Sequence, residues 1–130
     1  MRFISRKFHA VLDYMCGILL IVAPWLLNFD EINDAKWVAI CVGAAILLMS
    51  FFTDYEGGGK KAISMPTHLT MDVLMGLFLA ASPWIFGFSD QVYLPHLILG
   101  LLEMGAGLFT VRVSEHAAAH SADERWRHAH

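Results

Sequence analysis

The sequence predicts an all-α membrane protein: four transmembrane helices built as two helical hairpins in parallel repeat. Three observations carry this. Of 130 residues, 57% are hydrophobic and only 16% charged, with a mean hydropathy of +0.54, whereas about a quarter of an ordinary soluble domain is charged. The apolar residues gather in four blocks, 8–27, 35–52, 69–88 and 93–113, each close to the roughly 20 residues a helix needs to cross a hydrocarbon core of about 30 Å. Finally, His9, Asp13, Gly17, Leu20, Pro24 and Trp25 return as His68, Asp72, Gly76, Leu79, Pro83 and Trp84, each 59 positions further on.

The first block follows Arg2, Arg6 and Lys7 as a signal peptide would. No small-x-small cleavage site follows it, and an internal block matches it, so it is expected to belong to the structure. The second block, "AKWVAICVGAAILLMSFF", has Lys36 as its one charge. It shows none of the polar stripe that a helix of a soluble bundle turns to water, and no block alternates as a membrane strand would. The third block repeats the first. The fourth agrees more loosely with the second, Gly43 and Thr53 matching Gly100 and Thr110 at a separation of 57. The chain therefore divides into a first repeat at 1–55, a linker at 56–66, a second repeat at 67–113 and a polar tail at 114–130. The linker has glycines and lysines without P-loop spacing or a preceding strand, and reads as a flexible cytoplasmic connection.

Eight of the nine Lys and Arg residues fall before the first span, between the second and third, or after the fourth, and only Lys36 lies on the other side. By the positive-inside rule both termini should be cytoplasmic. Spans one and three then run in the same direction, and the halves are related by a pseudo-twofold axis along the membrane normal. At 100° per residue, His9, Asp13, Gly17, Leu20 and Pro24 fall within about 80° of arc, as do their counterparts in span three. This stripe is expected to face the other half, with Gly17 and Gly76 letting the two helix backbones approach, and with Ala39, Gly43, Gly100 and Gly107 as contacts of spans two and four.

The repeats end in "APWLLNF" at 23–29 and "SPWIFGF" at 82–88. With the His-x3-Asp start, these resemble the SPW-repeat family of small bacterial membrane proteins over about residues 8–113. The resemblance implies a multi-pass bacterial inner-membrane protein of four spans and no established activity. Ala23 stands where the serine would be in the first copy, so a serine hydroxyl is not required in both. Pro24 and Pro83 lack an N–H and clash with the carbonyl four residues back, so each helix should kink or end there. Trp25 and Trp84 then lie near the interface, where indoles anchor.

His9 with Asp13 and His68 with Asp72 are spaced to pair on one helix face. Intramembrane carboxylates are functional candidates by default, although these two lie only one to two turns inside the interface, where water lowers their cost. Three uses stay open: a packing device in which Asp orients His; a divalent-metal site made of His9, Asp13, His68 and Asp72; and proton or ion movement. Glu103 is the more deeply placed acid and the best single protonatable candidate. His96 is expected to anchor at the opposite interface. Cys16 and Cys41 lie at different depths and read as buried, inert thiols, and His116, His120 and Glu124 could form a weak tail site.

The reading that emerges is an accessory or structural helix-packing protein, with a proton or divalent-metal binding or translocating protein as the alternative. Enzymatic activity is disfavoured because no loop is long enough to shape a substrate pocket. The sequence requires no cofactor, a divalent metal being the one candidate. The lipid bilayer is the expected partner, with another copy or another membrane protein beside it, and no nucleic acid.

Overall fold

The computed structural model describes residues 4–54, 62–110 and 115–129, with side chains described at 4–53, 62–110 and 122–129. Helix α1 (Arg6–Leu26) begins where the Ser5 hydroxyl accepts the Phe8 N–H at 3.2 Å. Helix α3 (Met65–Ile85) begins in the same way, Ser64 accepting from Thr67 at 3.4 Å with Pro66 in the first turn. Such caps contribute about 1 kcal/mol each. Ser5 and Ser64, like Ile4 and Ile63 before them, are again 59 apart, so the repeat begins earlier than its His-x3-Asp motif. Helices α2 (Asn33–Phe51) and α4 (Leu94–Phe109) return the chain across the bundle. The first three are long and apolar enough to span a membrane. The apolar α4 stops at Phe109 before an undescribed stretch at 111–114, short of the expected span to 113.

Both prolines lie inside their helices, which stop two residues later rather than at the proline. In the second copy the Ser82 hydroxyl donates to the Leu79 carbonyl at 2.7 Å, the very carbonyl that Pro83 deprives of an N–H partner. Ala23 offers no such donor in the first copy. Beyond each helix, Asn28 (φ +58°) and Gly87 (φ +76°) take the left-handed conformation that closes a helix end. The chain then turns inward, burying Phe29 and Phe88, while Trp25 and Trp84 stay more than half exposed on the outer face. Val11, Met15, Ile18, Leu74, Leu77, Ile98 and Leu101 are exposed on the same outer surface.

α1 packs along α2 and α3 along α4; α2 meets α3 and α1 meets α4 to close a four-helix ring, so that α1 and α3 oppose each other across the axis. The glycines correct one expectation. They bring helices together within each hairpin, not across the halves: a Cβ on Gly43 would sit 2.7 Å from the Gly17 carbonyl oxygen, and one on Gly76 would sit 2.6 Å from that of Gly100. The opposed helices stay apart because the His and Asp side chains fill the space between them.

Two short backbone contacts, which the sequence did not announce, join the halves at the end of the bundle where α1 and α3 begin. Strand β1 (Thr53–Asp54) runs parallel to β2 (Ile63–Ser64), and Ile4 bridges to Thr110 in the same sense. The Ile63 N–H bonds the Phe52 carbonyl at 3.0 Å, and the Ile4 N–H bonds that of Phe109 at 2.9 Å. The middle of the linker, 55–61, lies outside the described residues, so the flexible connection expected there is not described. The tail forms helix α5 (Glu115–Ala129), with an exposed Asp123–Arg127 pair at 2.9 Å. The side chains of His116 and His120 lie outside the described residues.

The hairpin glycines differ sharply in what they tolerate. A Cβ at Gly100 would collide with the backbone of Ala80 and Gly76, whereas one at Gly105 meets nothing within 4 Å. Gly100→Ala is expected to lower stability by about 1–3 kcal/mol, the usual cost of overpacking, and Gly105→Ala to leave it unchanged or slightly raised. Thermal unfolding in detergent, monitored by circular dichroism, checks both.

Candidate functional site

Four side chains from the opposed helices meet on the bundle axis. His9 and Asp13 on α1, and His68 and Asp72 on α3, are each 0% exposed. Asp13 and Asp72 lie about two turns into their helices, and no part of either side chain is exposed. The helical pairs expected from the spacing are present, at 3.1 Å for His9–Asp13 and 3.0 Å for His68–Asp72. The closer contacts are crosswise. His9 Nε2 lies 2.6 Å from Asp72 Oδ2, and His68 Nε2 lies 2.5 Å from Asp13 Oδ2. Two nitrogens and two oxygens thus alternate around a closed ring of four atoms.

The surrounding hydroxyls fix the histidine rings. Thr53 donates its proton to the Met49 carbonyl at 2.5 Å, and Thr110 donates to that of Ala106 at 2.6 Å. Each threonine oxygen is then an acceptor. It takes the Nδ1–H of a histidine in the opposite half, His68 to Thr53 at 2.5 Å and His9 to Thr110 at 2.7 Å. With one ring proton placed on Nδ1, each Nε2 is left to the carboxylates. At these separations lone pairs facing one another would repel, so either a proton on Nε2 or a shared cation occupies the contact. Ser50 adds a 3.3 Å bond to Asp13 Oδ2. Its counterpart at a separation of 57 is Gly107, where the backbone of α4 closes onto α3, a Cβ there falling 2.8 Å from the Leu69 carbonyl oxygen. Asp72 Oδ1 has no hydrogen-bond partner among the described residues.

Glu103 faces the interior of the bundle at 1% exposure. The Cys16 thiol of α1 lies beside it, while Oε2 has no hydrogen-bond partner among the described residues. The equivalent position in the first half is the equally buried Ile46, so the acid breaks the internal symmetry. His96 departs from its expected role as an interfacial anchor. It is buried between Phe29 and Phe88, at ring-centroid distances of 5.3 and 4.9 Å, and donates from Nε2 to the Ala35 carbonyl at 2.9 Å. This ties α4 to α2 at the end of the bundle remote from the cluster. Cys16 is buried, Cys41 is exposed, and both are free thiols.

The family model described as the SPW repeat domain matches residues 7–110. The chain belongs to the SPW repeat family. No curated protein and no solved structure matches it. Within this SPW repeat protein the motif residues serve two ends. Pro83, Trp84 and their first-copy counterparts lie in the last turns of α3 and α1, while His9, Asp13, His68 and Asp72 form the buried ring. Thr53, Thr110 and Ser50 belong to the site and were not singled out for it from sequence. The two threonines were visible as a matched pair in the looser half of the repeat, and that recurrence was the available signal.

Removing one member of a buried ion pair leaves its partner uncompensated at a cost of about 3–5 kcal/mol. Asp72→Ala is expected to lose about that much stability, and a double-mutant cycle with His9→Ala to show a coupling of about 1–3 kcal/mol. A cycle on the exposed Asp123–Arg127 pair should show almost none. Equilibrium unfolding of the purified variants measures all three.

Proposed function

We propose that this SPW repeat protein is an integral protein of the bacterial inner membrane, with both termini in the cytoplasm, that acts through helix packing as an accessory or structural element. The observation that carries the reading is how the polar groups of the spans are used. The four residues best suited to chemistry are fully buried and engaged crosswise with the opposite half. A substrate would have to break the contacts that hold the hairpins together before reaching them. The surface offered to the surroundings is instead a continuous apolar face broken by Trp25, Trp37, Trp84 and Tyr93, suited to lipid and to neighbouring helices. The distribution of Lys and Arg supports the orientation.

Two measurements test this. A cytoplasm-dependent reporter fused after residue 130 is expected to be active and a periplasm-dependent one silent; the reverse pattern overturns the orientation. Reconstituted into liposomes, the protein is expected to leave proton and divalent-cation permeability at the protein-free level. A flux that Asp13→Asn abolishes would replace the packing role with translocation through the same residues.

A further inference from the structure

Without a proton on each Nε2, the ring of Nε2 and Oδ2 atoms holds acceptors alone. Both Nδ1–H groups point outward to Thr53 and Thr110. Within the cluster, Asp72 Oδ1 is buried with no hydrogen-bond partner among the described residues. Acceptors facing one another in a dry space are met by a proton or by a cation. We propose that the cluster takes up one divalent transition-metal ion, bound by Nε2 of His9 and His68 and by the carboxylates of Asp13 and Asp72, as a resident ion that ties the two hairpins together. The proposal rests on the locking role assigned above.

The chemistry of the donor set agrees. One donor atom from each of the four residues lies within 4.8 Å of all the others. Two imidazole nitrogens with two carboxylate oxygens suit zinc, cobalt, iron or manganese and disfavour calcium and magnesium, which take all-oxygen sites. Tetrahedral bonds of about 2.0–2.1 Å place donors about 3.3 Å apart. The present contacts of 2.5–3.1 Å open by less than about 1 Å to reach that spacing. The two carboxylates balance the ion's charge, and where each Nε2 carries a proton in the ion-free ring, two protons leave as one ion enters. Net charge within the hydrocarbon is then unchanged. Thr53 and Thr110 hold the rings as outer-shell acceptors commonly hold metal-bound histidines.

The test uses the full chain in lipid nanodiscs with His116, His120, His128 and His130 replaced by alanine, which leaves the tail without imidazoles, titrated with Co2+. One Co2+ per chain is expected, with the intense visible absorption of a four-coordinate site, displaced by Zn2+. Thr53→Val and Thr110→Val should each weaken binding about 10–100-fold, and His9→Gln should abolish it. Where His9→Gln does not fold, the threonine variants, which exchange a hydroxyl for a methyl of similar size, carry the test. No bound Co2+, or binding indifferent to all three substitutions, overturns the proposal. Unfolding of Asp72→Ala in chelator separates the two ideas: a loss of stability there with no Co2+ site sinks the metal and keeps the lock, whereas no loss sinks the lock.

Discussion

Two imidazole nitrogens and two carboxylate oxygens in contact at the centre of an apolar bundle are the constraint on which the rest of this structure depends. Taking such groups out of water costs several kcal/mol each, and their attraction offsets that only where geometry is close and the remaining donors and acceptors are met. Much of the surrounding chain meets those conditions. Thr53 and Thr110 lie just beyond their helices, and each gives its own proton to a carbonyl one turn back and so is free to accept from a histidine. The short β contacts include both threonines, Thr53 pairing with Ile63 and Thr110 with Ile4. The hairpin glycines draw α1 to α2 and α3 to α4, and the His and Asp side chains occupy the space between α1 and α3.

The duplication explains why the ring closes, and the departures from it show where the halves have diverged. Between two copies of one hairpin, an axis of twofold symmetry pairs every His with the other copy's Asp and Thr as well as its own Asp. A site of four matched ligands thus arises from one pair of residues. The symmetry fails along α4. Where α2 has Ala39, Ile46 and Ser50, α4 has His96, Glu103 and Gly107, all six buried. His96 and Glu103 are seven residues apart, and Glu103 is seven before Thr110, so all three lie on the inward face of α4. One half therefore carries polar groups through the depth of the bundle, and the other fills the positions of His96 and Glu103 with apolar side chains.

The fold class was legible because it rests on strong, redundant signals: four apolar blocks of spanning length, and a motif repeated at a fixed separation. The participants of the ring were half legible. His9, Asp13, His68 and Asp72 declared themselves by type, spacing and recurrence, but a helical period places residues on a face and does not say which neighbour that face meets. Gly17 and Gly76 illustrate the gap. Small residues do mark close packing, yet the choice between the hairpin partner and the opposite half is made by side-chain volume on the axis, which no single segment reveals. Ser82 illustrates another: its hydroxyl answers a carbonyl orphaned by the next residue, a local arrangement readable from Ser-Pro on a helix once the bond is considered.

The crosswise pattern has a consequence for how the chain can exist. A single hairpin keeps its helical His–Asp contact but loses the threonine that orients its histidine, the closer carboxylate and the backbone bridge, all of which come from the other half. What remains is a polar pair exposed on the inward face of two helices surrounded by hydrocarbon, an arrangement that the membrane penalises. A hairpin of this design is complete only when a second one faces it, whether in another molecule or in the same one. Joining the two copies in one chain makes that meeting intramolecular, which raises the effective concentration of one half near the other to about millimolar or more for a short linker. It also frees the copies to diverge, and Glu103 opposite Ile46 is a difference that a dimer of identical hairpins could not hold.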